Sequence, residues 1–251
     1  EDLSGLRVVE ARDHCAAAAG AVRLVHDGEA QALMKGHLHT DELLHHVVKR
    51  EGGLRTRRRL THIFVMDVPG LDHLLLITDA AINIAPDLAT KVDIVQNAID
   101  LAHALRIRAP KVGVLAAVET VNEKMPATLD AAILSKMADR GQITGGIVDG
   151  PLAMDNALSM AAARTKGLAG DVAGRAEVLV APDLQSGNMI AKQLTYLAHA
   201  EAGGLVMGAK APIILTSRSD DEKARLASCA IAAIYADWRR RRDAGALAAA
   251  E

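Results

Sequence analysis

Aromatic side chains are nearly absent from this chain. Phe, Trp and Tyr make up 2% of its 251 residues, although half of all residues are hydrophobic. Ala, Leu, Ile and Val must therefore fill the interior, which suits helices layered on a sheet better than an aromatic-rich β-sandwich. Cysteine is scarce as well: Cys15 and Cys229 both fall in Ala-rich helical patterns and read as small core residues, so no disulfide framework is implied. No apolar run approaches the ~20 residues needed to span a bilayer, and nothing has the pattern of a secretory leader. The formal charge of −2 gives no whole-molecule reason to expect nucleic acid or an anionic membrane as partner. Neither a Walker-type loop nor a G-x-G-x-x-G occurs, which counts against ATP and dinucleotide binding. The expectation is a cytoplasmic enzyme. Its first residue is Glu1 rather than Met, and Gly5-Leu6-Arg7-Val8-Val9 reads as a strand entered partway through a fold, so upstream sequence is expected to be missing.

What is present is alternation. Short apolar runs bounded by turn residues alternate with longer helical patterns, the signature of an α/β fold with a largely parallel sheet. Strands are predicted at 7–10, 32–34, 63–68, 74–78, 112–116, 143–148, 177–181, 204–207 and 213–216. Helices are predicted at 13–26, 40–50, 88–105, 127–140, 188–200 and 220–239. Pro69-Gly70 predicts an antiparallel hairpin. In the helix near Leu88, Val92, Val95, Ile99 and Ala102 share one face. The Ala-rich tail from Ala244 to Glu251 reads as frayed or disordered.

Five of the apolar strands end in polar or glycine-containing turns. One strand leads into Asp79 and Asn83, the next toward Glu119 and Asn122, another into Asp149-Gly150, another into Asp183 with Gly187-Asn188, and the last into Ser217-Arg218. Ligands of open α/β sheets bind beyond the carboxyl ends of the strands, so a convergent polar crevice is the expectation.

Ser217-Arg218 carries the most information. Ser219 and Glu222 have capping-box spacing, with Ser219 as N-cap, which sets Ser217 and Arg218 just ahead of a helix N-terminus that favours an anion. A guanidinium there can hold a phosphate or a developing oxyanion. Spacing alone is equally compatible with a capped turn and a surface salt bridge. Asp220, Asp221 and Glu222 read as helix-start residues before they read as bases. Lys35-Gly36 precedes Thr40, which reads as an N-cap, and forms a second candidate anion site, with a solvated lysine as the alternative. His37, His39, His45 and His46 lie nearby, but no Cys or carboxylate completes a metal-ligand spacing. The basic runs 55–59 and 239–242 read as solvated faces, with the adenosine phosphates of a cofactor as an alternative for the first.

Taken together, the strings Leu33-Met34-Lys35-Gly36, His39-Thr40, 76–86, 116–130, 149–156, 182–192 and 215–220 resemble the phosphate acetyltransferase/phosphate butyryltransferase family. They run in family order over nearly all of residues 3–236 and look closer to the butyryltransferase-like branch, which also occurs fused behind an enoyl-CoA hydratase-like domain. The resemblance implies a three-layer α/β/α, two-domain fold like that of isocitrate and isopropylmalate dehydrogenases, with its opening strand–helix region absent. Residues 1–59 plus 206–251 would form the first domain and 60–205 the second, with the active site in the cleft between them. It implies a homodimer whose substrates are acyl-CoA and phosphate, with no permanently bound cofactor and no metal. Ser217 and Arg218 match the family's catalytic pair, and Lys35, His39, Thr40, Asp79, Asn83, Asp149, Asp183, Gly187 and Asn188 would bind substrate or CoA. The family's general base counts to Ala224, which leaves Asp220 or Asp221 as substitutes. His45 and Tyr196 stand where acetyltransferase members carry arginines. An acyl-CoA-sensing domain, like those attached to malic enzymes, is the alternative reading.

Overall fold

A computed structural model describes residues 4–217 and 220–245. Its strands are β1 (Leu33–Met34), β2 (Thr61–Asp67), β3 (Leu75–Thr78), β4 (Lys111–Leu115), β5 (Ile147–Leu152), β6 (Val178–Val180), β7 (Glu201–Met207) and β8 (Ile213–Ile214). The helices are α1 (His14–His26), α2 (Thr40–Val47), α3 (Leu88–Ala104), α4 (Pro126–Asp139), α5 (Met154–Leu158), α6 (Met160–Thr165), α7 (Leu184–Leu197) and α8 (Glu222–Asp243). The strands form one sheet in the order β1-β8-β7-β2-β3-β6-β4-β5.

The sheet is mixed rather than largely parallel. β1 runs parallel to β8, and β3, β6, β4 and β5 run parallel to one another. Between these two sets, β8–β7, β7–β2 and β2–β3 are antiparallel. The hairpin predicted at Pro69-Gly70 is the β2–β3 connection, and Gly70 supplies the left-handed φ of +94° that its turn requires. Three consecutive reversals mean that β8 and β3 point in opposite directions.

Side chains alternate across the sheet and build two apolar layers. On one face Ile63 and Val65 of β2, Leu76 of β3 and Leu205 of β7 pack beneath α3, α4 and α8. On the other face, Met66, Leu75, Ile77 and Leu179 pack with Ala157, Ala163 and Ala191 of α5, α6 and α7. Farther along the sheet, Leu33, Val206 and Ile213 pack with Ala18, Val22, Leu43 and Val47 of α1 and α2. Helices therefore cover both faces.

Several local expectations change. Residues 7–10 form no strand, because no neighbour offers them a ladder. β5 starts at Ile147 and not at 143, where Gly145 and Gly146 crowd Ile99 and His103. α7 starts four residues earlier than predicted, capped by the Asp183 carboxylate, which accepts from the Ser186 N–H at 2.8 Å. Asp221 rather than Ser219 caps α8, accepting from the Ala224 N–H at 2.8 Å; Ser219 itself lies outside the described residues. The N-cap of α2 is His39 and not Thr40, which is the first helical residue. Cys15 is exposed rather than a core residue. α5 and α6 are too short to show a periodic pattern.

The turn from β7 into β8 begins at Gly208, whose φ is +91° and whose Cα faces the Arg59 carbonyl oxygen, leaving no room for a Cβ. Gly208→Ala is expected to lower the unfolding free energy by about 1–3 kcal/mol. The check is the urea midpoint, which should fall with an unchanged slope; an unchanged midpoint would mean the turn carries no such constraint.

Candidate functional site

The reversals divide the predicted site residues into two groups. The carboxyl ends of β1 and β8 meet at one end of the sheet, bringing Lys35 beside Thr216 and Ser217. The carboxyl ends of β3 and β6 open at the other end, with Asp79, Asn83, Asp183, Gly187 and Asn188, whereas Asp149 lies inside β5, in register with Gly113, so that strand does not end at Asp149-Gly150 as expected. The polar strand ends therefore leave the sheet in two directions, while Ile82 of the loop after β3 packs on the same apolar cluster as Leu38 and Leu215.

At the first end lies an open cavity of about 720 Å³ lined by His14, Met34, Lys35, Gly36, His37, Leu38, His39, Thr216, Ser217 and Arg225. Five of these side chains are basic and none is a carboxylate, so the cavity favours an anion. The loop after β1 shapes it. Lys35 is buried, and its ammonium donates to the carbonyls of Gly36 at 3.2 Å and Leu38 at 3.0 Å. An ammonium has three N–H donors, so one stays available to a ligand. The Thr216 hydroxyl donates to the Lys35 carbonyl at 3.0 Å and locks the two strand ends together. Ser217 is exposed, and its N–H donates to the Asp220 carboxylate at 2.7 Å. Asp220 thereby closes the turn that presents Ser217. Arg218 lies outside the described residues.

His14 and Arg225 were not singled out in the sequence. A helical side chain leans toward the N-terminus of its helix, so Arg225, four residues past the α8 cap, reaches back over the Ser217 turn. That direction was the available signal. His14 arrives from α1, remote in sequence, and had none. Thr40 is half-buried beside His39 at the start of α2.

At the second end the polar atoms are engaged with one another. Asp79 is buried; its carboxylate accepts the N–H groups of Ala81 at 3.0 Å, Ile82 at 3.0 Å and Asn83 at 3.2 Å, and the Asn83 amide at 2.5 Å. The same amide donates to the Leu60 carbonyl at 2.9 Å. The Asn188 amide donates to the Ala80 carbonyl at 3.0 Å, fixing α7 on this loop. Gly187 is required there, because a Cβ would run into the Asp79 carbonyl oxygen. The Asp149 carboxylate accepts the N–H of Gly150 at 2.8 Å. Farther along, Lys166 bridges Glu119 at 3.0 Å and Asp155 at 3.2 Å, and its hydrogen bonds hold both carboxyls below the usual range. No group of three His, Cys, Asp or Glu among the described residues is placed to hold a metal ion. No helix among them is long and apolar enough to cross a membrane.

A mixed α/β sheet, helices on both faces and a basic cavity beside a strand-end serine define a class of anion-handling α/β enzymes. Residues 5–233 match the model of the phosphate acetyl/butaryl transferase family, and the chain belongs to that family. It is 59% identical over 239 residues to a phosphate acetyltransferase of Rhizobium meliloti, covering 95% of this chain and 76% of that one. To a phosphate butyryltransferase of Clostridium acetobutylicum it is 46% identical over 235 residues, or 94% and 78% of the two chains. The crystal structure of a branched-chain phosphotransacylase from Enterococcus faecalis V583 superposes with a TM-score of 0.87 at 36% identity, covering 94% and 84%.

Between the two ends, His62 of β2 is buried against Phe64, with ring centroids 4.5 Å apart, and its Nδ1 has no hydrogen-bond partner. Burial lowers its pKa to about 4, against a smaller opposing pull from Asp79. The folded form therefore resists protonation that the unfolded chain accepts near pH 6.5. Stability is full above pH 6.5 and is lost as pH falls toward 4, by about 3 kcal/mol from this residue. Urea unfolding at pH 7 and pH 4.5 should show that loss, and His62→Gln should flatten it; an equally steep loss in the variant would assign it elsewhere.

Proposed function

We propose that this chain is a phosphate acyltransferase, reversibly moving an acetyl or butyryl group between CoA and inorganic phosphate in the cytoplasm. The observation that carries this reading is the basic cavity at Ser217 in a chain that matches the family model over residues 5–233. In the forward direction a phosphate oxygen attacks the thioester carbonyl, negative charge gathers on the acyl oxygen, and the C–S bond breaks to release the CoA thiolate. Each stage places negative charge where Lys35, Arg225 and the histidines can oppose it. Ser217 meets the CoA sulfur or the phosphate, and Arg218 stabilises the tetrahedral intermediate. Asp220 and Asp221, engaged with the turn and the helix cap, position Ser217 in this reading rather than move protons. His39 and Thr40 line the phosphate approach. Asp79, Asn83, Asp149, Asp183, Gly187 and Asn188 act as scaffold for the second domain instead of touching CoA.

The domain division belongs to the same reading. Every buried member of the α1–α2 cluster lies within 1–59 or beyond 205, and every buried member of the α5–α7 cluster lies within 60–205. The remaining and largest cluster joins both segments, with Ile63 and Val178 beside Met207, Ile214 and Ile231, so the proposed domains share one apolar layer beneath α3 and α8. CoA is a substrate here and not a resident cofactor, no metal takes part, and the working unit is a homodimer.

The test is phosphate-dependent release of CoA from acetyl-CoA and butyryl-CoA, with calorimetric CoA binding on the same preparation. Release that needs phosphate is expected; CoA binding without release would instead support an acyl-CoA sensor. Arg218→Ala is expected to lower kcat by about 100-fold or more with little change in CoA affinity, since its charge acts in the transition state. A pure loss of binding would contradict that role.

A further inference from the structure

A second cavity of about 750 Å³ lies far from Ser217, where the last turns of α3 and α8 meet the loops before β4 and β5. Arg225 and Trp238 are thirteen positions apart on α8, ~20 Å of helical rise, and the two cavities share no lining residue. Its walls include Arg106, Arg108, Arg241 and Arg242, against the carboxylates of Asp100 and Asp237. Both carboxylates are already shared. Asp100, largely buried, pairs with Arg58 at 2.6 Å and Arg242 at 3.3 Å, and Asp237 pairs with Arg240 and Arg241 at 2.7 Å each. The two basic runs of the sequence, 55–59 and 239–242, therefore meet at one buried aspartate, and the cationic charge exceeds the anionic.

Arginines in the last turn of α8 offset its dipole, which accounts for part of this cluster. Arg106 and Arg108 are different. They follow α3, are exposed, and have no carboxylate partner among the described residues. Arg106 also has φ +67°, a left-handed position after a helix that glycine or asparagine would fill with less strain. The apolar part of the wall is Ile107, Ile234 and Trp238, with the Arg242 guanidinium 4.6 Å from the Trp238 ring centroid.

We propose that this cavity binds an organic phosphate of the nucleoside diphosphate class. Its phosphates would be held by Arg106, Arg108 and Arg241 in the paired geometry that guanidinium offers to phosphate, and its organic part would lie against Trp238 and Ile234. Trp238 is the only tryptophan in the chain, so its fluorescence reports on this cavity directly. Titration of the full chain with ADP should change that fluorescence saturably, while adenosine should leave it unchanged. The double variant Arg106→Ala/Arg108→Ala, at exposed positions, should weaken ADP binding about tenfold or more while phosphate-dependent CoA release stays at the parent level. No saturable change with ADP, an equal response to adenosine, or an unchanged ADP titration in the double variant would each overturn the proposal.

Discussion

Three antiparallel pairings in the middle of the sheet decide which way each polar strand end points. Had β8, β7, β2 and β3 run parallel, every polar strand end would open on one side, and the aspartates and asparagines after β3 and β6 would share a crevice with Ser217. The reversals at β7 and β2 instead send Ser217 and Lys35 to one end and Asp79, Asp183 and Asn188 to the other. The cavity lined by Lys35, Arg225 and three histidines lies at the first end, where the Asp220 carboxylate accepts the Ser217 N–H.

The separation also explains the different states of the two groups. At the Asp79 end, buried carboxylate and amide groups satisfy the backbone of a loop and a helix start, as burial of polar groups demands. Their contribution is rigidity. They fix the α7 N-terminus on the end of β3, and Gly187 lets the two backbones approach. At the Ser217 end, Lys35 keeps a donor unspent and Arg225 reaches over the turn, an arrangement with charge in excess of its internal partners.

The sequence was most informative where a signal was local. The helix expected near Leu88 is α3, which buries Val95, Ile99 and Ala102 of its predicted face and is buried on other sides as well, and the Pro69-Gly70 hairpin joins β2 to β3. Strand direction was not local. Nothing within 201–207 distinguishes a strand with two antiparallel neighbours from one with parallel neighbours, since both are apolar and Gly203-Gly204 lack side chains. The α8 cap fell on Asp221 because neighbouring acidic residues share the helix start and Asp220 is engaged with the Ser217 N–H. For the site, the family strings singled out Ser217 and Lys35, which line one cavity. His14 and Arg225 join them only through the packing of α1 and α8 on the sheet.

The central claim is that CoA is handled at the Ser217 end of the sheet and that the Asp79 end is support. Hydrogen exchange of the full chain, with and without CoA, tests it most directly. Protection is expected in residues 34–40, 214–217 and the first turns of α8, with residues 79–83 and 183–188 unchanged. Protection confined to residues 79–83 and 183–188 would contradict it and move the site to the opposite end of the sheet.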